Sequence, residues 1–358
     1  MKKDLLILGA NPFNKDINHA GGQLTAITNL IKYIEKNDIS YDVIDIFRST
    51  FPKPPISKKI LMSWCKYREL KDKLNNCSYK GAIVFASYGF GYWEKLFFAL
   101  TIEKYNIKTL FFIRSGHFMQ SVIDKEYRVP IKRFFMNKIS YIGYQGGNWE
   151  AFYLKFGIKK EKLIKILNWI EIKKYKRSFN DYKVTFLYVG WMVEKKGVNE
   201  LVDVILENSD LDKFNFIFVG GGTLIDSLVS RVKKLNRDNN IKFTGWLNHK
   251  EVERYYKEAD VLVLPSHAEG FPNVILEALN YRLPIISTNV GAISESVIDN
   301  YNGFLINVNN KQELFDAILK LGSSKKLRQK FSQNSEKVLL KNHSIEKNCK
   351  IIFDLFEG

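Results

Sequence analysis

Long apolar runs are missing from this 358-residue chain; none approaches the ~18 residues that a membrane-spanning helix requires. Cysteine is sparse: Cys65, Cys77 and Cys349 show no metal-ligand spacing, and an odd count without a secretion signal argues for reduced thiols. The five histidines are scattered and suggest no metal cluster. Eight prolines and 22 glycines are too few for a fibrous or disordered class. The opening, Met1-Lys2-Lys3-Asp4 before the apolar residues 5–10, is too short for a signal peptide and reads as a buried first strand. A cytoplasmic protein is expected.

Acidic residues are also in short supply, with 55 Lys and Arg against 38 Asp and Glu, a formal charge of +17. Such an excess suits polyanions: nucleic acid, an anionic membrane or phosphate-bearing substrates. Lysine on solvated faces accounts for it equally well. What the chain has in ordinary measure is hydrophobic (46%) and charged (26%) residues, the balance of a globular protein. Its length exceeds what one core usually supports, so two domains are expected.

Short apolar runs at 5–8, 82–85, 110–113, 186–189, 214–219, 241–243, 261–264 and 284–287 are β-branched or aromatic in tone and bounded by Gly, Pro, Asn or Ser. Runs without alternation fit strands buried on both faces. Helical patterns lie between them, one being Leu24, Ile27, Ile31 and Ile34. Repeated β-α-β units imply an α/β fold with parallel sheets, in which ligands bind beyond the carboxyl ends of strands. A polar, basic stretch near 171–178 marks a boundary, giving domains of 1–168 and 169–340. The tail 341–358 carries a stripe of Ile345, Cys349, Ile352, Phe353 and Phe356 and is expected to cross back onto the first domain.

The sharpest segment is Pro265-Ser266-His267-Ala268-Glu269-Gly270-Phe271-Pro272-Asn273-Val274-Ile275-Leu276-Glu277-Ala278. It follows a strand, so its loop sits at a carboxyl end, and a helix starts near Pro272 and Asn273, where proline suits the first turn. Free N–H groups of that turn attract an anion. A carboxylate can accept two sugar hydroxyls at once, so Glu269 and Glu277 bracket a place for sugar hydroxyls around a diphosphate. A solvated helix glutamate is the bland reading for Glu277 alone; the whole string argues against it.

Glu269 and Glu277, eight apart in this string, resemble the paired glutamates of the family-4 retaining glycosyltransferases of GT-B fold. Further stretches over 185–310 are similar: Gly190-Trp191-Met192-Val193-Glu194-Lys195-Lys196-Gly197, Val219-Gly220-Gly221-Gly222, Thr244-Gly245-Trp246-Leu247 and Asn289-Val290-Gly291-Ala292-Ile293-Ser294-Glu295. The first domain is only loosely similar. The resemblance implies two Rossmann-like domains facing a cleft, the first for acceptor and the second for donor, with retention of configuration and no settled covalent nucleophile. It gives His117, Glu269 and Lys196 to the reacting end. Around the donor it places Gly21, Gly22, Gly190, Lys196, Gly221, Trp246, Leu247, Glu269, Gly270, Phe271, Pro272, Asn273, Val274 and Glu277. Glu269 would hold hexose hydroxyls, Glu277 the ribose, and backbone at Trp246 and Leu247 the base. Lys196 and an arginine would clamp the diphosphate, stabilising the charge that the leaving nucleotide gains. Trp191 stands at the arginine position, so Lys196 with backbone groups, or Lys195, must serve instead, or the donor site is altered.

Gly21-Gly22 before a helix, and His117 after a strand, are weak signals alone; a plain turn and an idle loop histidine are their bland readings. Asp210-Leu211-Asp212 spells a metal-binding D-x-D but precedes a strand, away from the ligand face, so no metal and no cofactor are expected; the nucleotide-sugar is a co-substrate. Between 53 and 74, Ile56, Ile60, Leu61, Met62, Trp64 and Leu70 interleave with Lys58, Lys59, Lys66, Arg68, Lys71 and Lys73. A second basic-aromatic cluster runs through Arg128, Ile131, Lys132, Arg133, Phe134, Phe135 and Lys138. Such helices either lie in a membrane interface or face a core with a solvated basic back. The expectation is therefore a hexosyl transfer, from UDP-sugar in preference to GDP-sugar, to a glycan or lipid-linked glycan acceptor in cell-surface polysaccharide or lipopolysaccharide synthesis. It would act in the cytoplasm, with peripheral contact at the inner membrane face and no nucleic acid partner. An epimerase or hydrolase of the same fold is the alternative, followed by a non-enzymatic basic module, against which the acidic motifs on the ligand face argue.

Overall fold

The computed structural model describes residues 2–13, 22–46, 55–114, 118–119, 129–179 and 183–357. They divide into two units, Met1–Glu171 with Ile345–Gly358, and Ile172–Ser344.

The first unit is built on β1 (Lys2–Gly9), β2 (Tyr41–Asp45), β3 (Ser78–Ala86), β4 (Lys108–Ile113), β5 (Tyr141–Tyr144) and β6 (Leu163–Lys165), all parallel, in the order β2-β1-β3-β4-β5-β6. Successive side chains of a strand point to opposite faces, and both faces are apolar. Leu6, Leu8, Val84 and Phe111 meet Leu70 of helix Ile56–Asn76, Leu96 of helix Phe90–Glu103 and Tyr153 of helix Trp149–Phe156. Leu5, Ile7, Ile83 and Phe112 meet Ile27, Ile31 and Ile34 of helix Gly22–Lys36 on the other face. The chain returns to this face at its end: Ile345, Cys349 and Ile352 of helix Ile345–Asp354 complete the layer, and the Phe356 ring lies on Gly81, where a Cβ would stand 2.2 Å from it.

The second unit carries β7 (Thr185–Val189), β8 (Asn215–Val219), β9 (Ile241–Phe243), β10 (Val261–Leu264), β11 (Ile285–Thr288) and β12 (Gly303–Ile306), again parallel, in the order β12-β11-β10-β7-β8-β9. From β7 the chain builds outward to β9, then crosses back to β10 and builds the other way. The order therefore reverses between β7 and β10, and loops leaving their carboxyl ends diverge around a crevice, the usual ligand position in such sheets.

Strands β2, β5, β6 and β12 lie outside the apolar runs visible in the sequence. Tyr41-Asp42-Val43-Ile44-Asp45 is a sheet-edge strand, and Asp42 binds Lys3, Lys73 and Tyr79, so its polar residues are satisfied by neighbours rather than absent. Asp210 sits in the short helical turn Ser209–Leu211 and Asp212 pairs with Arg237, both before β8 and so at its amino end. Among the described residues no helix is long and apolar enough to cross a membrane.

Candidate functional site

Two loops meet at the switch point of the second unit. The loop after β7 is anchored by Gly190 N–H donating to the Val219 carbonyl (3.0 Å) and Met192 N–H to that of Gly221 (2.8 Å), then forms a helical turn, Glu194–Lys196. Gly197 ends the turn at φ +65° and caps helix Val198–Glu207. A Cβ there would stand 1.9 Å from the Pro265 carbonyl oxygen, so only glycine lets this loop close on the one after β10. His267 N–H completes the junction by donating to the Lys195 carbonyl at 2.9 Å.

This closure brings Lys196 Nζ to 2.5 Å from Glu269 Oε1, with both side chains largely covered. Ser266 Oγ donates to the same oxygen at 2.8 Å. Tyr188 lies buried beneath; burial, then the nearby Glu269 charge, pushes its phenol well above the usual range. The 265–272 loop is held from behind. Thr288 Oγ1 donates to the Ser266 carbonyl, Ala292 N–H to that of Gly270 (2.9 Å), and the Phe271 ring packs on the buried His343 ring at 5.5 Å. Glu269 is thereby presented by a backbone with little freedom to move.

Pro272 and the helix Asn273–Asn280 follow, and Glu277 stands in its second turn. Tyr256 Oη donates to Glu277 Oε2 at 2.7 Å from helix His249–Glu258. That helix is set by an Asn248–Glu251 capping box. Burial raises the Glu277 carboxyl, against the Tyr256 hydrogen bond and the fields of His249 and Lys173. The Tyr256 ring stacks on Tyr281 at 5.6 Å, and Lys173 reaches both Tyr281 Oη (2.5 Å) and Glu253 (2.9 Å).

Of the residues singled out in the sequence, the structure joins Lys196 directly to Glu269 and sets Gly270, Phe271, Pro272, Asn273 and Val274 between Glu269 and Glu277. Gly190 and Gly221 lie at the adjoining ends of β7 and β8, with Trp246 and Leu247 beyond β9. Gly22 opens its helix in the first unit. His117 and Gly21 lie outside the described residues. Ser266 and Tyr256, which hold the two glutamates, were not picked out from sequence. Ser266 has a local signal, three residues before Glu269, but Tyr256 is 21 residues from Glu277 on another helix and has none.

The family model described as "Glycosyl transferases group 1" matches residues 170–338. An uncharacterized glycosyltransferase of Methanocaldococcus jannaschii is 37% identical over 150 residues, 42% of this chain and 41% of that protein. The UDP-Gal:alpha-D-GlcNAc-diphosphoundecaprenol alpha-1,3-galactosyltransferase of Escherichia coli is 28% identical over 204 residues, 56% of this chain and 52% of that protein. The chain thus matches about half the length of these relatives. Among solved structures, sucrose-phosphate synthase from Thermosynechococcus elongatus has a TM-score of 0.79 at 17% identity, covering 99% of this chain and 98% of its own; this likeness shows the fold, GT-B.

Proposed function

We propose that this chain, which matches the glycosyl transferases group 1 family model over residues 170–338, moves a hexose-type sugar from a nucleotide-sugar onto a glycan or lipid-linked glycan. The observation that carries this reading is the Lys196–Glu269 pair at the switch point, a cation and a carboxylate held where phosphate and sugar hydroxyls need them. The two charges neutralise each other. A bound diphosphate would draw Lys196 away and leave Glu269 to accept hydroxyls. Lys196 then stabilises charge on the departing nucleotide diphosphate, the place where the transition state differs most from the substrate.

The finer features of the proposal are a UDP-linked donor, retention of anomeric configuration and a reaction without metal or cofactor. The Escherichia coli relative's name, with its UDP-sugar donor and lipid-diphosphate acceptor, supports the first and suggests cell-surface polysaccharide synthesis. The test is thermal unfolding with UDP-, GDP- and ADP-sugars, with and without EDTA. A ligand at 100 times its Kd stabilises by about 2.7 kcal/mol, a shift of several degrees. A shift with UDP-sugars that EDTA leaves unchanged is expected; no shift with any donor contradicts the proposal. Product stereochemistry by NMR then checks retention, and donor consumed without acceptor would favour the hydrolase.

The first unit supplies a further argument for a lipid-linked acceptor. Helix Ile56–Asn76 turns Leu70 and Leu74 into the core, yet Ile56, Ile60, Leu61 and Trp64 are all more than half exposed among Lys58, Lys59 and Arg68. Ile131 and Phe134, with Arg133, are likewise exposed on helix Val129–Met136. These apolar residues do not face a core, which supports the membrane-interface reading of the helices. Lys53 and Arg128 of the same clusters lie outside the described residues. Our proposal places this surface on an anionic membrane, each nearby Lys or Arg adding about 1 kcal/mol. Co-sedimentation with anionic vesicles at low salt is expected, and its absence would sink this part.

A further inference from the structure

The loop that ends at Lys196 begins with a side chain of different chemistry. Trp191, just beyond β7, is 56% exposed, and Trp246, just beyond β9, is 59% exposed. Their rings meet edge to face, centroids 4.9 Å apart at 74°. Indoles usually bury most of their area in cores or interfaces. Here two remain open side by side at the carboxyl edge of the sheet.

Their positions are set by the backbone beneath. Gly190 and Met192, flanking Trp191, are hydrogen-bonded to Val219 and Gly221, and the Trp191 carbonyl accepts from Tyr188 Oη at 2.8 Å. Gly220 N–H donates to the Gly245 carbonyl at 2.9 Å, joining the turn that carries Trp246. The Trp246 indole lies directly on Gly221, where a Cβ would come within 2.6 Å of Nε1. The ends of three neighbouring strands therefore carry one aromatic surface.

We propose that Trp191 and Trp246 form a platform that stacks the base of a nucleoside-diphosphate ligand, a deepening that rests on the nucleotide-sugar reading above. A neutral indole cannot clamp phosphate, whereas its flat face suits a planar heterocycle. Base–aromatic stacking tolerates any base, because each has a π-face. Direction along the site agrees. Lys196 leaves the same loop five residues later and turns toward Glu269 at β10, while the indoles lie toward β8 and β9. A ligand with its diphosphate at Lys196 would extend its base toward the rings along the strand order. Trp191 thus trades a phosphate contact for a base contact, leaving Lys196 as the cation of this loop that meets the diphosphate.

Calorimetric titration of UDP, GDP, ADP and inorganic pyrophosphate into the wild type, Trp191→Ala, Trp246→Ala, Trp191→Phe and Lys196→Ala tests this. Each alanine variant is expected to weaken all three nucleotides by about 5- to 150-fold while leaving pyrophosphate unchanged. Trp191→Phe should keep most of the affinity, and Lys196→Ala should weaken pyrophosphate and nucleotides together. Unchanged thermal midpoints of the tryptophan variants, expected from their exposure, show that the fold is intact. If the wild type binds nucleotides and both alanine variants bind them equally well, the platform is wrong and the nucleotide reading stands. Parallel weakening of pyrophosphate in Trp191→Ala would also overturn it, because the ring would then act through the Lys196 loop. A wild type that binds none of the three nucleotides overturns both the reading and the platform.

Discussion

Lys196 Nζ and Glu269 Oε1 lie 2.5 Å apart, bridging loops that leave β7 and β10, the two adjacent strands at which the sheet order reverses. Seventy-three residues separate them in sequence. In this pairing a cation and a carboxylate face each other, so that neither charge is left alone in a largely covered place.

Removing Lys196 as Lys196→Ala is expected to weaken donor binding by about 1.5–3 kcal/mol, the range for a hydrogen bond to a charged group. Glu269→Gln should bind nucleoside diphosphate without sugar about as well as the wild type, since Lys196 is then released, while losing transfer activity. Calorimetry with UDP and an activity assay separate the two effects. Loss of UDP binding in Glu269→Gln would contradict this division of labour.

Glu277 ties stability to pH. Burial raises its folded-state pKa above the unfolded value. The folded state therefore binds the proton more tightly, so this contribution to stability is fully present below the unfolded pKa and is lost as pH rises through the folded one. Glu277→Gln removes that dependence while Tyr256 keeps an acceptor. Melting curves between about pH 4 and pH 8 should show the variant gaining on the wild type as pH rises. Its donor affinity should fall, and Glu277→Ala should lose a few kcal/mol at most. Unchanged donor binding in the alanine variant would remove Glu277 from the site.

Gly197→Ala forces a side chain into the left-handed region and against the Pro265 carbonyl oxygen. A strained residue of this kind costs about 1–3 kcal/mol before any clash is counted. Urea denaturation should show at least that loss, accompanied by weaker donor binding as the two loops separate. A stability equal to the wild type would mean that the loops are not locked together as described.

The cysteines should differ sharply in reactivity. Cys65 is exposed on helix Ile56–Asn76, whereas Cys349 is fully buried in the first unit and burial pushes its thiol far up. Since the thiolate is the nucleophile, a thiol reagent at neutral pH should label Cys65 quickly and Cys349 only on unfolding. Rapid labelling of Cys349 in the native protein would show that helix Ile345–Asp354 opens readily from its sheet. Phe356→Ala, which uncovers Gly81, should lower stability by about 3–5 kcal/mol by urea denaturation.

Much of this was written locally along the chain. Apolar runs such as 82–85 and 261–264 declare strands covered on both faces, because nothing but burial explains four β-prone residues without a polar one. The helix after Pro272 and the placing of Glu269 before it follow from short-range chemistry that needs no partner, whereas the Gly190–Gly197 stretch was legible by its resemblance and is held by Val219, Gly221 and Pro265 from elsewhere. The polar edge strand β2 escaped, since its Asp42 is satisfied by Lys3, Lys73 and Tyr79 from elsewhere. Tertiary structure alone decided the rest. It joined Lys196 to Glu269 and Tyr256 to Glu277, laid Trp246 on Gly221 beside Trp191, and turned Ile60, Leu61 and Trp64 outward from a helix whose pattern also suited a core. The physical reason is one of range. Periodicity and turn chemistry act over a few residues, but strand order sets which distant loops become neighbours, and those neighbours determine each side chain's charge, exposure and contacts.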